Sequence, residues 1–218
     1  MQWFKNLWRS SSKRATAGIG SVSLGLAGWT EESAPNEIRA WHDVDGDILT
    51  LAHVQEVLPN FEEADEVKVR RWSRDLAQSR GAGLVEAHKL EHGFHLVYKR
   101  LVRPAYIYTG MFLVHVRGSW LVWTIVAGER GTTGIREAVV TATLISERKL
   151  KFEEYELRWA QDPYEPDYHR VDRTVLRSMS DDESYDDQFP MHPLSKVRHT
   201  LALLPNNVKY DLFVPFSA

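Results

Sequence analysis

The chain of 218 residues contains no cysteine. That absence excludes a disulfide framework, cysteinyl zinc sites and thiol catalysis, and it fits a reducing, cytoplasmic setting. No run of about 18 apolar residues occurs either, so no helical membrane span is expected. Neither sign of charge dominates: 27 Lys and Arg stand against 30 Asp and Glu. Nucleic acid is therefore not an expected partner, because phosphate binding needs clustered cations. The glycine loops that cradle phosphates or dinucleotides are missing, as is the G-x-S-x-G nucleophile elbow. Local spacing gives no reason to expect a cofactor or a metal.

What is present begins with residues 1–21, a basic amphipathic segment. Trp3, Phe4, Leu7 and Trp8 fall on one helical face with Lys5 and Arg9 beside them. That face suits a membrane interface or a partner groove, and implies peripheral contact at most. The glycine- and serine-bearing stretch from Ala15 to Ala27 is too polar for an export signal. Its tail, Ser21 to Ala27, alternates as a first strand.

Residues 22–150 read as one α+β core. Ile38–His42 and Ile48–Val54 are short strands separated by Asp45-Gly46, a strong hairpin signal. Glu62–Arg80 predicts a helix with Val69, Trp72 and Leu76 on one face, closed by Gly81. Leu84–Leu90, Phe94–Leu101, Ala105–Val116 and Trp120–Ala127 then form an antiparallel meander rich in Val, Tyr, Phe and Trp. Thr132–Ile145 predicts a second helix, with Ile135, Ala138, Val139, Ala142 and Ile145 as its buried stripe. The fold class is an antiparallel sheet flanked by helices, an α/β/α sandwich.

This order, the Gly28-Trp29 opening before a hairpin and the closing helix at Thr132–Ile145 resemble the PsbP-like domains, including the DcrB-like proteins, over residues 22–146. The resemblance implies a non-catalytic bacterial accessory or protein-interaction domain.

Residues 151–218 form a C-terminal extension without a counterpart in that family. Lys149–Gln161 is expected to be extended, although Phe152, Tyr155 and Trp159 also share a helical face. Between Asp162 and Asp187, nine acids face three arginines, which suits a segment laid over a surface, the chain's own or a partner's; Asp181–Asp187 reads as a solvated acidic loop or as a run that steers a basic partner. Pro193 then opens an amphipathic helix striped by Leu194, Val197, Leu201 and Leu204. Such a helix needs a surface, either the chain's own core or a protein partner. Phe189, Met191, His192, Leu194, Val197, Arg198 and Leu201 are the candidate interaction residues.

Sharper chemistry rests on fewer residues. Asp43-Val44-Asp45-Gly46-Asp47 resembles the nucleophile loop of haloacid-dehalogenase-type phosphatases, which implies Asp43 as nucleophile and Asp45 as acid/base around Mg²⁺. Asp182 and Asp186 match that family's late acidic pair. The reading needs a parallel sheet with Asp43 at the end of a strand, whereas a hairpin turn accounts for the same residues. An EF-hand is excluded by Ile48 and Val54 at its glycine and glutamate positions. His88, His92 and His95 have helical zinc spacing, but a turn at Glu91–Gly93 is expected to put His92 at a tip and separate the other two across the sheet. A small-ligand carrier lined by Tyr106, Tyr108, Trp120 and Trp123 is the third class.

Overall fold

The computed structural model describes residues 22–32, 38–58, 61–116, 118–168 and 171–210. The amphipathic face of Trp3, Phe4, Leu7 and Trp8 lies outside the described residues. Strands β1 (Val22–Leu24), β2 (Thr30–Glu32), β3 (Ile38–His42) and β4 (Ile48–Val54) precede helix α1 (Glu66–Ser79). The meander follows as β5 (Gly83–Leu90), β6 (Gly93–Val102), β7 (Ala105–Val116) and β8 (Ser119–Gly128). Strands β2 to β8 build one seven-stranded antiparallel sheet in the order β2-β3-β4-β8-β7-β6-β5. No helix among the described residues is long and apolar enough to cross a membrane.

Turn chemistry sets the first hairpin. One Asp43 carboxylate oxygen accepts the N–H groups of Asp45 and Asp47 at 3.0 and 2.8 Å, and Gly46 takes the positive φ of 75°. Helix α1 starts at Asp65, whose side chain accepts the Lys68 N–H, and ends before Gly81 at φ 63°. Its Val69, Trp72, Leu76 and Ala77 pack with Leu84, Phe94, Leu96 and Leu113 on one face of the sheet.

The opposite face is covered from the far end of the chain. After α2 (Ile135–Ser146), the short turn α3 (Tyr155–Arg158), β9 (Ala160–Gln161) and β10 (Arg177–Ser178), helix α4 (Pro193–Asn207) lies across β7 and β8, and β11 (Val208–Tyr210) pairs with β1. Leu194, Val197, Leu201 and Leu204 join Leu49, Leu51, Trp123 and Ile125 in one core. A Cβ added at Gly110 would meet Val197 and Leu201 side-chain carbons at 2.6 and 2.8 Å, so a glycine sets how closely α4 approaches. Four buried aliphatic side chains contribute about 1.5–3 kcal/mol each, which an isolated short helix lacks.

Three expectations are corrected. The helix at Thr132–Ile145 does not close the sandwich. It buries Arg136, Val140 and Leu144 and leaves Ile135, Ala138, Val139, Ala142 and Ile145 exposed. The sheet face it was expected to cover is filled by α4, while the buried Arg136 guanidinium donates to the Ser180 and Asp182 carbonyls and to Ser195 Oγ. The stretch Lys149–Gln161 is not extended except at β9: it makes a 3-10 turn at Phe152–Glu154 and then α3. Tyr155 stacks on Trp159 with centroids 5.1 Å apart, so the helical aromatic pair wins over alternation.

The acidic stretch is bonded inward. Asp162 takes two bonds from Arg74, at 2.9 and 2.8 Å, and Asp181 is fully buried against Lys99. Asp162 thus lies on the chain's own surface, and Asp181 is part of the packed body and not of a solvated loop.

Candidate functional site

Asp43 and Asp45 do come together, but on a cation of this chain. The Lys196 ammonium donates to Asp43 and Asp45 at 2.9 and 2.8 Å and also pairs with buried Asp47, which Arg130 reaches at 2.9 Å. Lys196 is partly desolvated, yet the three carboxylates hold its pKa above the ordinary lysine value. Burial raises the Asp47 pKa despite Lys196. The strands beside this turn are antiparallel, so the parallel-sheet setting of the phosphatase nucleophile is not met. Asp182 and Asp186 bond Arg177 and Arg198, respectively.

The histidine series splits as expected at its centre and not at its ends. His92 is at an exposed hairpin tip. His88 and His95 are direct cross-strand partners on one face, with ring centroids 5.0 Å apart. Opposed residues of an antiparallel pair share a face, which corrects their expected separation.

Of the candidate interaction residues, Leu194, Val197 and Leu201 are occupied in the chain's own core. Phe189 packs beside α2, and Arg198 bonds Glu86, Asp186 and the Asp181 carbonyl. Met191 stays exposed. Tyr108, Trp120 and Trp123 are core residues, whereas Tyr106 lines a cleft.

His192 has a different setting. It is the N-cap of α4, and its Nδ1 accepts the Leu194 N–H at 3.2 Å. Its side chain is 8 % exposed, and the buried Nε2 has no hydrogen-bond partner. That nitrogen lies 3.8 Å from Glu129 Oε1, on a side chain 5 % exposed. Glu129, at the end of β8, is fixed by the N–H groups of Gly134 and Tyr106, at 2.9 and 2.8 Å. Glu137, from the first turn of α2, completes the group. Both of its carboxylate oxygens are buried without a partner from another residue. One ligand atom from each of Glu129, Glu137 and His192 lies within 4.8 Å of the others.

Electrostatics there are unbalanced. Burial raises the Glu137 pKa; its own backbone N–H opposes this, Asp181 and Glu129 raise it further, and Lys99 pulls it back. Burial pushes His192 down to about 4, helped by Arg136. Nearby cations have other partners: Lys99 bonds Asp181 and Arg136 bonds Asp186. Two close carboxylates in a desolvated site need a proton or a cation between them.

The group lies between two clefts. One, of about 470 Å³, is lined by Glu129, His192, Arg130, Arg136, Asp47 and Lys196. The other, of about 410 Å³, is lined by Glu137, Lys99, Tyr106, Tyr155, Trp159 and Arg173, among others. Sequence reading selected His192 for another role and missed Glu129 and Glu137. The three come from a strand end, a helix start and an N-cap, so no short spacing connects them. No protein-family model matches the chain, and no curated protein sequence is significantly similar to it.

Proposed function

We propose that the protein binds one first-row divalent transition-metal ion through Glu129, Glu137 and His192 and presents it to small ligands. One observation carries the reading: the buried His192 Nε2 and both buried Glu137 oxygens have no hydrogen-bond partner from another residue, and one ligand atom from each of Glu129, Glu137 and His192 lies within 4.8 Å of the others. Unsatisfied buried polar groups cost about 1–3 kcal/mol each, and a divalent ion removes that penalty together with the carboxylate repulsion. An imidazole among carboxylates suits zinc, manganese or iron better than magnesium or calcium. Three protein ligands leave coordination positions open, and the ion then acts as a Lewis acid on a bound oxygen or water.

The Leu194 bond sets a cost. It places the proton of the neutral ring on Nε2, so ligation there moves the proton to Nδ1 and gives that bond up. The loss is about 1–3 kcal/mol for each group left unpaired, and it lowers the affinity of the site by that amount.

Calorimetric titration of the chelator-stripped protein with zinc and manganese tests the reading. One ion per chain with micromolar or tighter affinity, about −8 kcal/mol or better, is expected. His192→Asn, which keeps an N-cap acceptor, and Glu137→Gln each weaken it at least about tenfold. No saturable binding to a folded wild-type protein contradicts it.

A second reading, docking to another protein, is favoured by the exposed apolar stripe Ile135, Val139 and Ile145 on α2. That reading also draws on the expected resemblance to PsbP-like accessory modules, of which the antiparallel sheet flanked by helices is the coarse part. A partner captured by wild type and lost by folded Val139→Asp supports it; capture unchanged by that variant counts against this surface.

A further inference from the structure

Resting on the metal reading, we infer that the cleft beside Glu137 admits a small planar aromatic molecule whose anionic oxygen donor completes the coordination of the ion. The walls are suited to a flat ring. Tyr155 and Trp159 are already stacked, with an interplanar angle of 19°, and so form a preset aromatic surface. Tyr106 also lines the cleft and is anchored by its hydroxyl, which donates to the Thr174 carbonyl at 2.8 Å. Leu176 and Ala160 add apolar surface. A volume of about 410 Å³ falls within the range of small-molecule sites.

Charge selects the head group. Once an ion offsets Glu129 and Glu137, the remaining charges at this cleft are Lys99, neutralised by Asp181, and exposed Arg173 at its rim. The balance favours an anion over an amine. A carboxylate or hydroxamate carries oxygen atoms that bind a transition ion, and a ring that lies against Trp159.

Titration of the full chain with benzohydroxamate, zinc-loaded and chelator-stripped, tests the inference, with zinc affinity measured separately on each variant. Binding to the loaded form at least about tenfold tighter than to the stripped form is expected. Trp159→Ala weakens the probe by about fivefold with zinc affinity unchanged. Arg173→Gln, an exposed position that does not threaten folding, weakens it by about threefold. Equal probe binding with and without zinc overturns the inference and leaves the metal reading standing, as does zinc binding with no response to the probe. Probe affinity unchanged in both variants overturns it as well. Absence of zinc binding overturns both.

Discussion

Asp181 accepts the Lys99 ammonium at 2.5 Å, and the two side chains are 0 and 2 % exposed. This pair joins the middle of the sheet to the acidic segment. Removing one partner of a buried pair strands the other, at a cost of about 3–5 kcal/mol. Lys99→Met therefore lowers the unfolding free energy by that amount in urea titrations. Lys99→Met combined with Asp181→Asn, which removes both charges and keeps a polar partner for the buried Ser178 N–H and Tyr108 hydroxyl, recovers part of it, whereas a double variant as unstable as the single one contradicts the pairing.

The same pair fixes a pH dependence. Burial alone raises the Asp181 pKa, but the Lys99 charge and the bonds from Lys99 and Ser178 bring it below the ordinary carboxylate value. A depressed carboxylate contributes stability that is full above its unfolded pKa of about 3.9 and is lost as pH falls through the folded value. Without Lys99, burial raises the Asp181 pKa, and folded Lys99→Met gains by protonation on acidification. The stability gap between wild type and Lys99→Met thus narrows from pH 7 to about pH 4. A constant gap over that window contradicts the assignment.

Gly110 is the seat of α4. Alanine there puts a Cβ within 2.8 Å of Val197 and Leu201 side-chain atoms, and within 3.0 Å of Ile125. Those side chains must shift, so Gly110→Ala destabilises by about 1–3 kcal/mol in thermal or urea unfolding. Unchanged stability would mean that α4 does not rest on β7.

Truncation after Gln161 removes α4 and uncovers Leu49, Leu51, Trp123 and Ile125. The remaining chain is expected to lose cooperative unfolding and to bind hydrophobic dyes. A sharp two-state transition for the truncated form contradicts the packing of this segment as core.

The strands and α1 were legible because their signals are local. Asp45-Gly46 marks a turn whatever surrounds it, and the meander alternates on the two-residue period of a sheet. The stripe on α4 was equally legible as apolar, but a stripe does not say which surface receives it. Two helices competed for one sheet face. Leu194, Val197, Leu201 and Leu204 took it, and the smaller stripe of Ile135, Ala138, Val139 and Ala142 was left outside. The apolar period at Thr132–Ile145 marks a helix but not its buried side, because Arg136 is buried where the Ser180 and Asp182 carbonyls accept its guanidinium. The site was not legible at all. Glu129, Glu137 and His192 are ordinary residues in ordinary contexts until α2 and α4 bring them to one place.

The position of a bound ion tests the central claim most directly. Crystals of the full chain grown with zinc and measured at the zinc absorption edge are expected to show one strong anomalous peak. It lies about 2.0–2.2 Å from His192 Nε2 and from an oxygen of each of Glu129 and Glu137. A peak bound only by other residues, or an ordered site with no peak at all, contradicts the account.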